Sequence, residues 1–316
     1  MSNSNSSSGR LGTTFSVDQF LTDFGYLGQA PPGGWTPEIK QTAIAKAKGF
    51  YGLDPSGTLS SAEEKVFALT PRCGHKDVLH ARGFIPKWGI AHLTYCIVDY
   101  PVGLGLTKAD VTAIVGRCYQ SAAAACGLTF EQVPPERQST ANIVMRAARG
   151  RRAGFDGPSG TLAYAYPPQT GDYRGQLDLF WDLDEPWGDD RWQNAILFDA
   201  VTEHELGHIF GMDHDQTPQQ LMNAFYTRAI RTYQDNDKKR LRGLYGSATG
   251  PVLPPIVPPT VPGVPGLPPV GGPLTSLEIL LRVNGSQVIG PQAIDLTRVK
   301  TATLAELAAA FTAGQS

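Results

Sequence analysis

The feature that most constrains this chain is the eleven-residue stretch HELGHIFGMDH at 204–214. His204 and His208 are four residues apart, so on an α-helix their imidazoles project from one face toward one point. A catalytic zinc site needs three protein ligands and one open position, and His214 supplies the third ligand if the helix ends after His208 and the chain turns back. Gly211, which adopts a positive φ at little cost, is placed for that turn. The stretch therefore predicts a zinc centre.

Glu205 and Met222 complete this motif. Glu205 would act as general base on a water molecule in the open position and pass the proton to the leaving amine, while the metal acts as a Lewis acid. HExxH alone is a weak motif, because an apolar helix with one exposed carboxylate produces it by accident. Here three histidines, a glutamate and a glycine are fixed together, and Met222 follows in LMNAFY. Met222 is therefore expected to form a methionine turn beneath the ligands rather than to fill a core gap.

Composition and charge narrow the classes of partner. The 316 residues leave room for two or three small domains, and 41% hydrophobic residues are enough for a core. The net charge of −2 gives no electrostatic reason to expect nucleic acid or an anionic membrane. No apolar run approaches the roughly 18 residues of a membrane span, and the serine-rich N-terminus lacks the apolar core of a secretory signal. Protein or peptide partners therefore fit best.

The N-terminal part is predicted to be a disordered tail at 1–14 and a helical domain at 15–84. Each of its three expected helices has an N-terminal capping signal: Ser16 with Gln19, Thr36 with Pro37, and Ser61 with Glu64. The apolar positions expected to face inward are Phe20, Phe24, Ile39, Ala43, Ala47, Phe50, Val66, Phe67 and Leu69. Such a small core is expected to depend on docking to a larger domain.

The segment PRCGHKD at 71–77 carries a family resemblance. With the helical segment before it and HExxHxxGxxH after it, this segment resembles the matrixins, the matrix metalloproteinase group of the metzincins. The resemblance implies an α+β fold, in which a twisted mixed β-sheet with an active-site helix is preceded by a three-helix, peptidoglycan-binding-like prodomain. It also implies that 85–247 is the catalytic domain.

The same resemblance implies a cysteine switch. Cys73, as a thiolate, would occupy the fourth zinc position and keep the enzyme latent, in agreement with the strength of thiolate as a zinc ligand. Arg72 and Asp77 would pair to hold the loop. His75 and Lys76 depart from the usual residues, so the loop is expected to be held less rigidly.

Several elements of the catalytic domain can be predicted from pattern. Alternation and β-branched content indicate strands at 92–100 and 141–146. Thr107 and Asp110 are expected to open a helix between them. Its inward positions would be Val111, Ile114, Val115 and Cys118. The three cysteines other than Cys73 are an odd number beside a free switch thiol, which argues against a disulfide framework.

The stretch FDGPSGTLAYAY at 155–166 matches a calcium-binding stretch of the family. Calcium accepts carboxylates and backbone carbonyls together. By resemblance the ligands would be the Asp156 carboxylate, the carbonyls of Gly157, Ser159 and Thr161, and the carboxylates of Asp182 and Glu185. A solvated acidic loop is the alternative. The strand at 162–166 would form the upper rim of the cleft, where a substrate backbone adds as an extra strand.

In one respect the sequence departs from the family. Typical matrixins carry a structural zinc held by three histidines and an aspartate, but His92 is the only histidine between residue 85 and the motif. Tyr164 stands where the family has one histidine ligand of the structural zinc, and a later ligand position falls near Phe180. The loop that precedes them in the family is replaced by RGRRAG at 149–154. We therefore predict one zinc, not two.

The family's specificity-pocket wall corresponds to Phe225 and Tyr226, with Ala224 in place of proline. An apolar side chain on the primed side of the cleaved bond is the expectation. Asp235 and Asp237 are expected to anchor either the mature N-terminus or the methionine turn, and the sequence does not distinguish them.

Arg82 offers a cleavage point for an activating, trypsin-like protease. A proline-rich linker is predicted at 248–275. The C-terminal segment 276–316, of unknown role, contains a hairpin signal at Asn284 and Gly285 and a helix expected from Thr303.

The sequence and the resemblance therefore predict a latent zinc endopeptidase that also binds calcium and cleaves protein or peptide substrates. By resemblance it is secreted or extracellular. One alternative is a non-catalytic, zinc-containing adhesion or cell-wall-binding protein. Glu205 argues against it, because metal binding alone does not need that carboxylate. A peptidase that acts only on its own or a partner's precursor is a second alternative, which the sequence cannot separate from a general matrix-degrading role.

Overall fold

A computed structural model describes residues 15–78, 83–103, 105–217, 219–248, 276–283 and 286–295. The predicted tail, the Arg82 cleavage point, the run of prolines at 251–273, the hairpin turn at Asn284 and Gly285 and the helix expected from Thr303 lie outside the described residues. The chain divides into two units, Met1–Pro255 and Ile256–Ser316.

Three helices form the N-terminal part, as the capping signals predict: α1 (Val17–Asp23), α2 (Pro37–Phe50) and α3 (Ser61–Leu69). They pack around a small apolar cluster of Phe20, Leu21, Phe24, Leu27, Ala43, Ala47 and Phe67. Aromatic contacts dominate this cluster, with the rings of Phe20 and Phe67 stacked at 4.8 Å. A buried Lys48 joins α2 to the start of α3, since its Nζ lies 3.0 Å from Glu63 Oε1.

Some details of these helices differ from the expectation. The third helix is capped one residue earlier, by a capping box of Ser60 and Glu63. Ser16 accepts from the Gln19 amide, but the Gln19 side chain donates to Asp23 instead of closing a capping box. The expected core positions Ile39, Val66 and Leu69 are exposed, because the aromatic rings already fill the space between the short helices.

A six-stranded sheet forms the centre of the first unit, in the order β1-β5-β6-β4-β2-β3. Its strands are β1 (Arg72–Cys73), β2 (His92–Ile97), β3 (Thr129–Gln132), β4 (Ile143–Ala148), β5 (Thr161–Ala165) and β6 (Leu177–Asp182). Pairing is parallel except between β5 and β6, which run antiparallel. The sheet is therefore mixed, as predicted.

Two of these strands have shifted bounds. β2 ends at Ile97 instead of residue 100, and just beyond it Val98 N still donates to the Met145 carbonyl at 2.9 Å. β4 begins at Ile143, because the Asn142 side chain takes the place of a ladder bond and accepts from the Thr94 amide at 2.9 Å.

Two long helices, α4 (Lys108–Ala125) and α5 (Phe198–Ile209), pack against each other and belong to the main core. The predicted Thr107 and Asp110 capping box opens α4, and its expected inward residues are buried. Every residue of α5 except Asp199 is buried. Trp181 of β6 fixes α5 to the sheet, since its indole donates to Thr202 Oγ1 at 3.1 Å.

The remaining elements are short or terminal. A small parallel pair, β7 (Trp187–Gly188) and β8 (Ile196–Leu197), precedes α5, and α6 (Asp235–Tyr245) closes the first unit. In the second unit, β9 (Ser276–Val283) and β10 (Ser286–Asp295) form the expected antiparallel hairpin. Within the described ranges, no helix combines the length and apolar character that a membrane crossing requires.

Candidate metal centre and cleft

The end of α5 is set by Gly211. This residue has φ 90°, and a Cβ added here would clash with the carbonyl oxygen of Pro86. Only glycine fits both the left-handed conformation and the close backbone approach. The helix therefore ends at Ile209, and the chain reverses direction to bring His214 back toward His204 and His208.

The three histidines and Cys73 converge. One ligand atom from each of the four residues lies within 4.8 Å of all the others. His208 Nε2 is 3.2 Å from His204 Nε2 and 3.4 Å from Cys73 Sγ. Three imidazoles and a thiolate are a donor set that suits tetrahedral zinc, so these residues fit the ion that the sequence predicts.

Two of the imidazoles are oriented by backbone carbonyls. His204 Nδ1 lies 2.6 Å from the carbonyl oxygen of Leu221, and His208 Nδ1 lies 2.7 Å from that of Met212. These contacts fix the tautomer that leaves Nε2 free for a metal. Burial lowers the pKa of His204 to about 4, and it also lowers the pKa values of His208 and His214 well below their ordinary value. All three imidazoles are therefore in the neutral form that binds metals.

Glu205 lies beside the cluster and is fully buried. Neither of its carboxylate oxygens has a nitrogen or oxygen partner in the described part of the chain. Burial raises the pKa of Glu205 to about 8. Burial, followed by the charge of Glu205, also raises the pKa of the Cys73 thiol. A bound cation would favour the charged form of both groups.

Met222 lies directly under α5. A Cβ at Gly207 would clash with the Met222 sulfur, so glycine permits this close approach. Asp237, on α6, accepts the backbone amides of Leu221 at 2.9 Å and Met222 at 3.4 Å. Of the two aspartates that the sequence left open, Asp237 is therefore the one that contacts this turn.

The Cys73 segment runs as a strand between two edges of the cleft. On one side, Gly74 N donates to the carbonyl of Ala163 in β5 at 2.8 Å. On the other side, Cys73 N donates to the carbonyl of Ala224 at 3.0 Å, and Tyr226 N donates to that of Pro71 at 3.0 Å. The segment is parallel to β5 and fills the space beside the histidines.

Arg72 and Asp77 form a buried ion pair, with side chains 1% and 0% exposed. Tyr51 accepts a hydrogen bond from Arg72 at 2.9 Å, and Tyr26 donates to Asp77 at 2.7 Å. The guanidinium also lies 3.7 Å from the ring centroid of Phe24. These contacts join the N-terminal helices to the Cys73 loop.

A pocket opens next to Glu205 and His204. Its lining is mainly apolar and includes Leu162, Ala200, Val201, Leu221, Ala224, Phe225, Tyr226 and Ile230. Tyr226 is fixed by a hydrogen bond that its hydroxyl accepts from the Leu197 amide at 2.9 Å. Phe225 packs on Tyr51, with ring centroids 4.7 Å apart, so the N-terminal helices contact the pocket wall.

The acidic residues expected to bind calcium lie near one another but are more loosely grouped than the histidines. Asp182 and Glu185 are buried, and among the described residues neither Asp182 Oδ2 nor Glu185 Oε1 has a hydrogen-bond partner. Burial, together with nearby carboxylates that include Asp156, raises the pKa of Asp182 to about 7 and that of Glu185 to about 8. Unpartnered buried carboxylate oxygens are suitable calcium ligands.

The loop that would supply carbonyl ligands is strongly bent. Gly157 and Ser159 have φ 96° and 70°. Asp156 Oδ1 accepts the Thr161 amide at 3.0 Å, which closes the turn. The carbonyls of Gly157, Ser159 and Thr161 stay predicted ligands.

Aromatic side chains occupy the positions that correspond to ligands of the family's structural zinc, which is predicted to be absent here. The rings of Tyr164 and Phe180 are stacked with centroids 5.1 Å apart, and Phe155 packs on Tyr164 at 5.3 Å. Tyr164 also donates its hydroxyl hydrogen to the carbonyl of Ala153 at 2.9 Å. The number of zinc ions stays a prediction.

A mixed sheet, a helix carrying HExxH, a third histidine after a glycine turn and a methionine beneath them together define a metalloprotease architecture. Comparison with known proteins agrees with this class: residues 87–246 match the family model described as Matrixin. The chain belongs to the matrixin family, whose members use a catalytic zinc together with calcium.

Similar proteins include matrix metalloproteinase-15 of Homo sapiens, 31% identical over 75% of this chain and 39% of the relative. Interstitial collagenase A of Mus musculus is 32% identical over 69% of this chain and 46% of the relative. Stromelysin-1 of Equus caballus is 34% identical over 66% of this chain and 43% of the relative. The chain spans less than half the length of these curated relatives.

Proposed function

We propose that this chain is a latent, zinc-dependent endopeptidase. In this proposal His204, His208 and His214 hold the catalytic zinc, Glu205 is the general base, and Cys73 is the fourth ligand of the latent form. The observation that carries the proposal is the grouping of Cys73 with the three histidines within 4.8 Å. Because Cys73 lies on a segment outside the HExxH helix, it can block the fourth zinc position in the latent form and leave it on activation.

When bound, zinc supplies Lewis-acid polarisation of water and of the scissile carbonyl. Glu205 takes a proton from the attacking water and delivers it to the leaving amine. Its buried carboxylate beside the histidine cluster is placed to accept and release that proton. Met222 supports the helix that carries Glu205, and Gly207 allows their close packing.

Latency follows from the contacts of the Cys73 segment. While its amides bond to β5 and to the segment 224–226, the same backbone groups are closed to a substrate strand. Activation would need withdrawal of Cys73 from zinc and of the segment 71–74 from the cleft. The helices at 15–69 would act as a prodomain, with the predicted boundaries 15–84 and 85–247, and a protease that cuts near Arg82 would remove them.

The substrates would be proteins or peptides bound as an extended strand. The apolar lining of the pocket beside Glu205 favours an apolar side chain on the primed side of the bond. Secretion is proposed from the family. One zinc is proposed, and a calcium ion would bind Asp156, Asp182, Glu185 and the carbonyls of Gly157, Ser159 and Thr161.

The test uses a quenched fluorescent peptide and three purified full-length forms: the parent chain, Cys73→Ser, and Cys73→Ser with Glu205→Ala. We expect cleavage only by the Cys73→Ser form, with zinc bound in all three. Cleavage by the form without Glu205 would remove that residue from the mechanism. If all three forms bind zinc and none cleaves, the non-catalytic adhesion or wall-binding alternative replaces this proposal.

A further inference from the structure

The third histidine of the cluster is held differently from the other two. Leu221 and Met212 supply carbonyls to Nδ1 of His204 and His208. Within the described ranges, neither nitrogen of His214 has a hydrogen-bond partner. Asp77 Oδ1 lies 3.7 Å from His214 Nδ1, beyond hydrogen-bond distance. The orientation of His214 must therefore come mainly from the backbone that carries it.

That backbone is held from both sides of His214 by α6. Arg240 Nη2 donates to the carbonyl oxygen of Asp213 at 2.7 Å. Asn236 Nδ2 donates to Oδ2 of Asp215, and Arg240 Nη1 lies 3.9 Å from the same oxygen. Positions 236 and 240 are one turn apart, so they share a helix face. One helix face thus contacts both sequence neighbours of His214.

Further hydrogen bonds of Asp215 hold the loop that carries His214 against the segment 222–223. Asp215 N donates to the carbonyl of Met222 at 2.8 Å, and Asn223 Nδ2 donates to the carbonyl of Asp215 at 3.2 Å. α6 is itself anchored by Asp237, which accepts the Leu221 amide. Since the Leu221 carbonyl orients His204, α6 supports two of the proposed ligands, His204 and His214.

We propose that Arg240 and Asn236 are positioning residues that hold His214 in the geometry required for zinc. This inference rests on the proposed function, because it assigns His214 as a ligand. Their importance increases when the N-terminal segment leaves, because the Asp77 carboxylate that lies near His214 Nδ1 leaves with it. A ligand with no oriented partner on its second nitrogen loses metal affinity when its backbone support is weakened.

The experiment uses the full-length chain carrying Cys73→Ser, so that the thiol does not contribute to zinc affinity. Arg240→Met and Asn236→Ala remove the two contacts, Arg240→Lys keeps one donor to the Asp213 carbonyl, and Arg242→Met is the matched control, since Arg242 is exposed on the same helix. Zinc dissociation constants are measured by competition with a chromogenic chelator. The absorption spectrum of the cobalt-substituted protein and the Tm of the metal-free protein are recorded beside them.

We expect the zinc dissociation constant to rise about tenfold or more in Arg240→Met and Asn236→Ala. The absorption spectrum of the cobalt-substituted protein should change in both variants. Arg240→Lys should recover part of the lost zinc affinity. Arg242→Met should match the parent in every measurement. Affinity within twofold of the parent in both variants would overturn the inference, and so would a loss that only tracks a lower Tm of the metal-free protein. A parent that binds no zinc would instead overturn the proposed function itself.

Discussion

The ring of His75 is stacked on the ring of His208, with centroids 4.1 Å apart and planes 23° from parallel. His75 therefore connects the Cys73 loop to the histidine cluster by packing as well as through the thiol. Its amide also donates to Cys73 Sγ at 3.2 Å, which helps to orient the sulfur. His75 is one of the positions where the sequence departs from the usual matrixin motif, so the stacking depends on a residue that the usual motif does not have.

Replacing His75 should weaken latency. A stacked aromatic pair contributes about 1 kcal/mol, so His75→Ala should raise the population of the open form, and with it the basal peptidase rate, about fivefold. The rate is measured with a quenched peptide on full-length protein in which Cys73 is intact. His92→Ala, which removes an exposed histidine from β2, serves as control and should leave the rate unchanged. An unchanged rate in His75→Ala would show that the stacking does not restrain the loop.

Breaking the Arg72 and Asp77 pair should release the loop more strongly. Arg72→Met leaves the Asp77 carboxylate buried without its cation, which costs about 3–5 kcal/mol, and the N-terminal helices lose their main connection to the loop. We expect Cys73 to react quickly with a thiol reagent, as measured by mass spectrometry of its peptide. The exposed Arg117 gives the matched control, Arg117→Met. Slow labelling in Arg72→Met, equal to the control, would contradict this role.

The sequence predicts the convergence of the three histidines, the glycine turn and the three N-terminal helices, because each depends on local chemistry, although Ser60 rather than Ser61 caps the third helix. It misses the carbonyls of Leu221 and Met212, since a backbone oxygen has no signal in residue type. It also misses the His75 stack and the supports from Asn236 and Arg240, which depend on tertiary packing between distant segments. The exposed Leu69 shows the opposite error, since an apolar residue at helical spacing need not be buried.

Tyr164 should hold the loop at 149–154 where the family uses a second zinc. Its hydroxyl donates to the Ala153 carbonyl, and a single hydrogen bond contributes about 1 kcal/mol. Tyr164→Phe keeps the stack on Phe180 and removes that bond, so trypsin should cut after Arg151 or Arg152 about fivefold faster.

Metal analysis of the same samples tests the predicted zinc number. The parent, Tyr164→Phe and a control, Tyr100→Phe, should each hold one zinc per chain. A second tightly bound zinc in the parent would contradict the prediction from the histidine census. Equal trypsin sensitivity in Tyr164→Phe and Tyr100→Phe would show that the hydroxyl contact does not restrain the loop.

The carboxyls of Asp182 and Glu185 should make the stability of the calcium-depleted protein fall as pH rises. Burial raises their pKa values from 3.8 and 4.5 to about 7 and about 8. Over the interval between the ordinary and the raised values, the folded state holds protons that the unfolded chain has lost, so unfolding releases protons and higher pH favours unfolding. The stabilising contribution is complete below the ordinary values and is lost as pH passes the raised ones.

Bound calcium should remove this dependence, because it pairs with the ionised carboxylates and stabilises only the folded protein. We therefore expect the Tm in chelator to decrease between about pH 5 and about pH 8 by more than the Tm in calcium, measured on the zinc-loaded full-length chain. Asp182→Asn with Glu185→Gln should abolish the difference between the profiles in calcium and in chelator, since neither side chain can then ionise. Asp178→Asn, a half-buried change on β6, is the matched control and should retain it. Parallel pH profiles with and without calcium in the parent would show that these carboxylates do not bind the ion.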